Sequence, residues 1–140
     1  MIDAITADLK RDEGFVSHAY QDSEGFWTIG FGRLIDKRLG GGITESEALG
    51  LLERDIHQTF ADLDRALPWW HALPPFQQRG LVNMAFNLGL PRLKTFKKML
   101  AALEAGDAEQ AAIQALDSVW AGQVKGRADR IAYLYRYRTP

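Results

Sequence analysis

The sequence predicts an α+β fold: a small antiparallel β lobe joined by a long helix to a larger helical lobe, with a cleft between the two. Three observations predict it. Residues 17–21 and 26–31 read as short strands around Asp22-Ser23-Glu24-Gly25, a turn in which Gly25 is free to take a positive φ. Thr44-Glu45-Ser46-Glu47 is a capping box, and the amphipathic pattern behind it runs for about 20 residues, or roughly 30 Å of helix. Residues 77–88 are apolar on nearly every side, the pattern of a helix buried at the centre of a helical lobe.

The first element is a helix over MIDAITADLKRD, with Ile2, Ile5 and Leu9 on one face; Gly14 permits its stop. If residues 26–32 form one strand, Trp27, Ile29 and Phe31 share an apolar face turned to the core. Phe26, Thr28, Gly30 and Gly32 then share an open face stripped to glycine, with room for something flat. Lys37 to Gly42 is a connector whose three glycines suit a loop and complete no phosphate-binding pattern. The long helix carries Leu51, Leu52, Ile56, Phe60 and Leu63 on its stripe, and Asp55 stands at the border, where a charge calls for a cationic partner.

Pro68 ends this stretch, Trp69 and Trp70 read as packing anchors, and Pro74-Pro75 opens the next helix. Asn83 and Asn87, four apart, share a face of that helix, where buried amides need hydrogen-bond partners. A further helix carries Leu93, Phe96, Met99, Leu100 and Leu103. Asp107 caps another, with Ala111, Ile113, Leu116, Val119 and Trp120. A last helix spans about 127–136. The expected organisation is a single domain over 1–140: a β lobe at about 14–43, a connecting helix at about 45–64, and a helical lobe from 1–13 and 65–140.

Composition narrows the function classes. The chain has 140 residues and no cysteine, which excludes a disulfide scaffold and thiol chemistry. Net charge is −1, so bulk charge argues neither for nor against nucleic acid, and no nucleic-acid partner is expected. Residues 1–60 hold 6 Lys/Arg against 11 Asp/Glu, and residues 121–140 hold 5 against 1. This acidic front and basic tail suit a solvated surface with intramolecular pairing. No apolar run approaches the roughly 20 residues of a membrane span. Asp3 and Asp8 interrupt any signal-peptide core, so the expectation is synthesis without a secretory leader. His18, His57 and His71 show no metal-ligand spacing, and neither metal nor cofactor is expected.

The chemistry sits between residues 12 and 33. Glu13 lies where helix gives way to hairpin, beside Phe15; Asp22 lies in a wetter turn. Two carboxylates in unlike environments suit glycoside hydrolysis, one donating a proton to the leaving oxygen and the other activating water. Thr28 has a hydroxyl able to hold that water. Spacing alone equally describes an ordinary helix-end glutamate and turn aspartate.

The residues carrying this chemistry also carry a resemblance. Glu13-Gly14, Ala19-Tyr20-Gln21-Asp22 and Gly25-Phe26-Trp27-Thr28-Ile29-Gly30-Phe31-Gly32 resemble the signature of the phage-type lysozymes, or endolysins (glycoside hydrolase family 24). The likeness continues through Gly42 to Ala48, Asn83 to Gly89, and Trp120 with Arg127 and Arg130. It implies a lysozyme-like fold and hydrolysis of the β-1,4 bond between N-acetylmuramic acid and N-acetylglucosamine in peptidoglycan. The implied mechanism inverts the anomeric carbon, with Glu13 as acid and water held by Asp22 and Thr28. It further implies substrate contacts at Glu24, Gly32, Leu34, Phe86 and Asn87, and pairing of Arg127 with Glu13. Where many relatives have a histidine paired to an aspartate, this chain has Arg33, with Asp55 at the aspartate position. A monomer acting on glycan strands in the periplasm is implied, and, for a free phage lysin, release from the host cytoplasm through a holin pore. The competing expectations are a lytic transglycosylase on the same fold and a non-catalytic wall-binding module.

Overall fold

The computed structural model describes residues 1–137. Arg138 of the basic tail and the last three positions of the expected helical lobe therefore lie outside the described residues. The fold is α+β, as the sequence predicts, and the chain divides into two compact units, Met1–Leu49 and Gly50–Pro140.

In the first unit, α1 spans Ile2–Glu13 and ends where Gly14, at φ 70°, donates its N–H to the Lys10 carbonyl. Three antiparallel strands follow in the order β1 (Val16–Gln21), β2 (Trp27–Gly30), β3 (Arg33–Leu34). Tyr20 stands opposite Thr28, and Thr28 opposite Leu34. The expected single strand over 26–32 is therefore too long. β2 stops at Gly30, and Gly30 and Gly32, both at positive φ, turn the chain into a short β3 that the alternation did not signal.

The expected faces of this strand are also corrected. Thr28 is 5% exposed rather than on an open face, and Phe31 is exposed, packed on Phe15 at 5.3 Å between ring centroids. Four residues are too few to carry an alternation through a turn, so Phe31 leaves the face of Trp27 and Ile29.

The long helix α2 spans Glu45–Ala66, and its capping box is formed in both directions. The Glu47 N–H donates to Thr44 Oγ1 at 3.1 Å, and the Thr44 N–H to Glu47 Oε1 at 3.3 Å. These Thr44 bonds hold the Glu47 carboxyl below its ordinary range.

The second unit has one core, including Leu63, Leu81, Met84, Trp120, Ile131 and Tyr135. A 3₁₀ turn over Pro68–Ala72 buries Trp70, whose indole stacks on Phe60 and donates to Asp64 at 2.8 Å. That bond, with His71 on the same oxygen, holds the Asp64 carboxyl below its ordinary range. The packing-anchor reading holds for Trp70. Five helices follow in order, α3 (Pro75–Leu88), α4 (Leu90–Leu93), α5 (Lys97–Glu104), α6 (Ala108–Leu116) and α7 (Val119–Val124), and then α8 (Gly126–Arg136).

Three expectations about these helices fail. α3 is not buried all round: Asn83, Phe86 and Asn87 are exposed, and the two amides are nonetheless hydrogen-bonded. The helix expected through Leu93 to Leu103 breaks at Lys94 to Phe96, where Thr95 Oγ1 donates to the Arg92 carbonyl and the Phe96 N–H to that of Leu93. Asp107 does cap the next helix, its carboxylate accepting the Gln110 N–H, but that helix stops at Leu116 and Ser118 caps a new one. α6 buries Ala108, Ala111, Ala112 and Ala115, which allow a close approach; Ile113 lies off that face and is 39% exposed, and Val119, at the start of the new helix, is 79% exposed.

The start of α5 opposes its own dipole. Its N-cap is Phe96, without a side-chain cap, and its first turn holds Lys97 and Lys98 with no acidic residue. No Asp or Glu occurs anywhere from residue 65 to 103. Replacing Lys98 with Asp should therefore raise stability by about 0.3–1 kcal/mol, read as a higher urea midpoint at unchanged slope.

Candidate active site

Glu13, Asp22 and Thr28 all fall in the first unit, around one hairpin. Glu13 is the last residue of α1, and the β1–β2 ladder separates it from Asp22. Its carboxylate lies against the α-carbon of Gly32. A methyl group at Gly32 would fall 2.8 Å from the Glu13 carboxyl carbon and closer still to Oε2. Gly32 also holds φ at 69°, a region that side chains disfavour, so two separate constraints select glycine there. The resemblance implied a substrate contact at Gly32; the structure adds that the Glu13 carboxylate is seated on it.

Asp22 is held by backbone. Its Oδ1 accepts the N–H groups of Glu24 and Phe26, each at 2.9 Å, while its own N–H donates to the Phe26 carbonyl at 2.8 Å. Two bonds on one oxygen orient the carboxylate and leave Oδ2 with its acceptor capacity. Thr28 donates its hydroxyl to the Phe26 carbonyl at 3.1 Å, so that oxygen is left to accept a bond from another donor. Phe26 thus ties both side chains to the backbone of one residue. This arrangement suits taking a proton from a water and orienting the same molecule.

The other nominated residues divide between the units. Glu24 is exposed in the Asp22 turn, and its contribution there is its amide. Leu34 and Arg33 form β3, both exposed. Asp55, Phe86, Asn87 and Arg127 belong to the second unit. There, Arg127 Nε donates to Asn83 Oδ1 at 2.9 Å, and Trp120 Nε1 to Asn87 Oδ1 at 2.8 Å. Phe86, Asn83 and Arg127 help to line an open apolar groove of about 580 Å³, with Ile56, Phe60 and Val82.

Two features of the first unit escaped the sequence reading. Trp27 reaches across to Gly40, and Asp36 ties the loop after β3 into a closed turn. The glycine run and an aspartate two residues before an arginine were their only signals.

Comparisons with known proteins identify the family. Residues 10–138 match the family model described as phage lysozyme. The chain is 36% identical to the pre-baseplate central spike protein Gp5 of Enterobacteria phage T4, covering 90% of this chain and 26% of that protein. It therefore spans about a quarter of the length of that relative. It is 27% identical to the probable T4-type lysozyme 1 of Dictyostelium discoideum, covering 94% of this chain and 92% of that one. It is 32% identical to an endolysin of Acyrthosiphon pisum secondary endosymbiont phage 1, over 71% of this chain and 66% of that one. With a family match running through nearly its whole length, the chain belongs to the phage lysozyme family.

Proposed function

We propose that this chain is a muramidase that hydrolyses the β-1,4 bond between N-acetylmuramic acid and N-acetylglucosamine of bacterial peptidoglycan. The observation that carries the reading is the pairing of unlike carboxylates in one unit: Glu13 seated on Gly32 at a helix end, and Asp22 held by two backbone amides beside Thr28. Glu13 protonates the leaving oxygen. Asp22 Oδ2 takes a proton from water, and Thr28 Oγ1 accepts a hydrogen bond from the same water. Attack from the face opposite the leaving group inverts the anomeric carbon. Family membership supports the substrate class, as do the relatives named lysozyme and endolysin.

Glu24, Gly32, Leu34, Phe86 and Asn87 are assigned as substrate contacts in this reading, and Arg33, Asp55 and Arg127 as supporting charges. No helix among the described residues is long and apolar enough to cross a membrane. For a free phage lysin, a holin pore gives access to the wall; as part of a longer phage protein, like the relative named a pre-baseplate central spike protein, the chain would reach it with that assembly.

Mass spectrometry of digested peptidoglycan tests the reaction. The expected products gain one water per cut and release the α-anomer first. Anhydro-muramic ends would replace the hydrolase by a transglycosylase, and binding without cleavage would replace both by a wall-binding module.

A further inference from the structure

We propose that residues 36–42 are a positioning clip for the Asp22 turn, closed by the contact of Trp27 with Gly41. The inference rests on the muramidase reading for the task of Asp22, but the clip itself is visible in bonds that need no substrate.

The loop is first closed on itself by one carboxylate. Asp36 Oδ1 accepts the Arg38 N–H at 2.9 Å and its Nε at 3.1 Å. Oδ2 accepts Arg38 Nη2 at 2.9 Å and the Gly42 N–H at 3.0 Å. The Arg38 amide and then its guanidinium hold this carboxyl below its ordinary range, which favours the ionised form that makes these bonds.

The closed loop then bonds to the hairpin at two points. Gly40 accepts from Trp27 Nε1 at 2.6 Å and donates to the Gly25 carbonyl at 3.1 Å. Gly25 in turn donates to the Asp22 carbonyl at 3.0 Å and completes the turn whose amides grip the Asp22 carboxylate. The hydrogen-bonded route from loop to carboxylate therefore runs from Gly40 through Gly25 to Asp22, and Asp36 acts on it by closing the loop on either side of Gly40 through Arg38 and Gly42.

Trp27 is the bearing surface. A methyl group at Gly41 would fall 3.1 Å from Trp27 Nε1 and closer still to Cδ1. These are atoms of a rigid ring held by its own hydrogen bond, so the loop rather than the ring must give way. Leu39 completes the contact, with its Cδ1 3.3 Å from where a methyl at Gly25 would lie. Trp27 and Thr28 are adjacent on β2, so the clip also fixes the strand that carries the threonine.

Gly41→Ala tests the clip, with Gly106→Ala as its control. Gly106 has a similar positive φ of 78° but no atom within 4 Å of an added methyl, so its substitution brings backbone strain alone. In Gly41→Ala, exchange of the Glu24 and Phe26 amides should quicken by about tenfold or more. Turnover per folded molecule should fall by about tenfold to a hundredfold with KM changed much less, because a displaced base misplaces the water. Gly106→Ala should lower the melting temperature and leave both readouts unchanged. In a Trp27→Ala background, Gly41→Ala should add nothing further. Unchanged exchange at Glu24 and Phe26, or full additivity with Trp27→Ala, would overturn the clip. If the wild type leaves peptidoglycan intact while Gly41→Ala still frees those two amides, the clip stands and the muramidase reading falls.

Discussion

Glu13→Gln should lower the rate of peptidoglycan hydrolysis by about 10²- to 10⁴-fold, the range contributed by a positioned general acid. The substitution keeps the volume and the seat on Gly32 but removes the proton to be donated. Because α1 buries no side chain within its own unit, the fold should persist, and circular dichroism and melting temperature should match the wild type. The seat makes a second comparison available. Gly32→Ala drives a methyl group into the Glu13 carboxylate and adds strain at a positive φ, so it should lose activity while keeping an ionisable glutamate. Equal clearing of purified peptidoglycan by Glu13→Gln and wild type would rule out Glu13 as the acid.

Trp120→Ala should destabilise the second unit by about 3–5 kcal/mol, a large share of the roughly 5–15 kcal/mol that holds a domain together. Trp120 is 2% exposed, meets the Phe96 ring edge-to-face at 6.1 Å between centroids, and donates to Asn87. Removing it opens a cavity and takes away the donor that orients Asn87. Trp120→Phe separates the two losses: it keeps most of the apolar contact and forfeits the hydrogen bond, and should cost nearer 1 kcal/mol. Urea midpoints of the two variants measure the difference. A cost for Trp120→Ala below that expected for the hydrogen bond alone would mean that the core closes over the gap.

The parts of this protein that were legible in the sequence are those built from neighbours. The Thr44–Glu47 box, the Gly14 stop, the Asp22 turn and the Asp107 cap each draw their bonds from residues within four positions, so their types announce them. What was not legible depends on partners far along the chain. Ile113 and Val119 looked like core, but α6 buries its alanine face instead of Ile113, and the stop at Leu116 and restart at Ser118 leave Val119 outside. Thr28 looked open because threonine is polar; β1 and β3 on either side bury it. That Gly32 also seats the carboxylate of Glu13, nineteen positions earlier, was not announced by its type. The Asn83 and Asn87 amides were rightly expected to be bonded, but to whom depended on where Arg127 and Trp120 arrive.

One contact has a consequence for how the chain is made. Gln77 is buried and donates its side-chain amide to the Tyr135 carbonyl at 3.0 Å, 58 positions away, and Gly80 leaves the space that the Tyr135 ring fills. Until α8 has emerged from the ribosome, α3 therefore carries an unpaid amide and a bare glycine notch. The first unit draws its contacts from residues 1–49, all of which are synthesised earlier. At about 5–20 residues added per second, the second unit spends seconds as a partly built, sticky surface. Slowing translation after residue 90 should then raise aggregation of nascent chains, and Gln77 marks the surface left waiting.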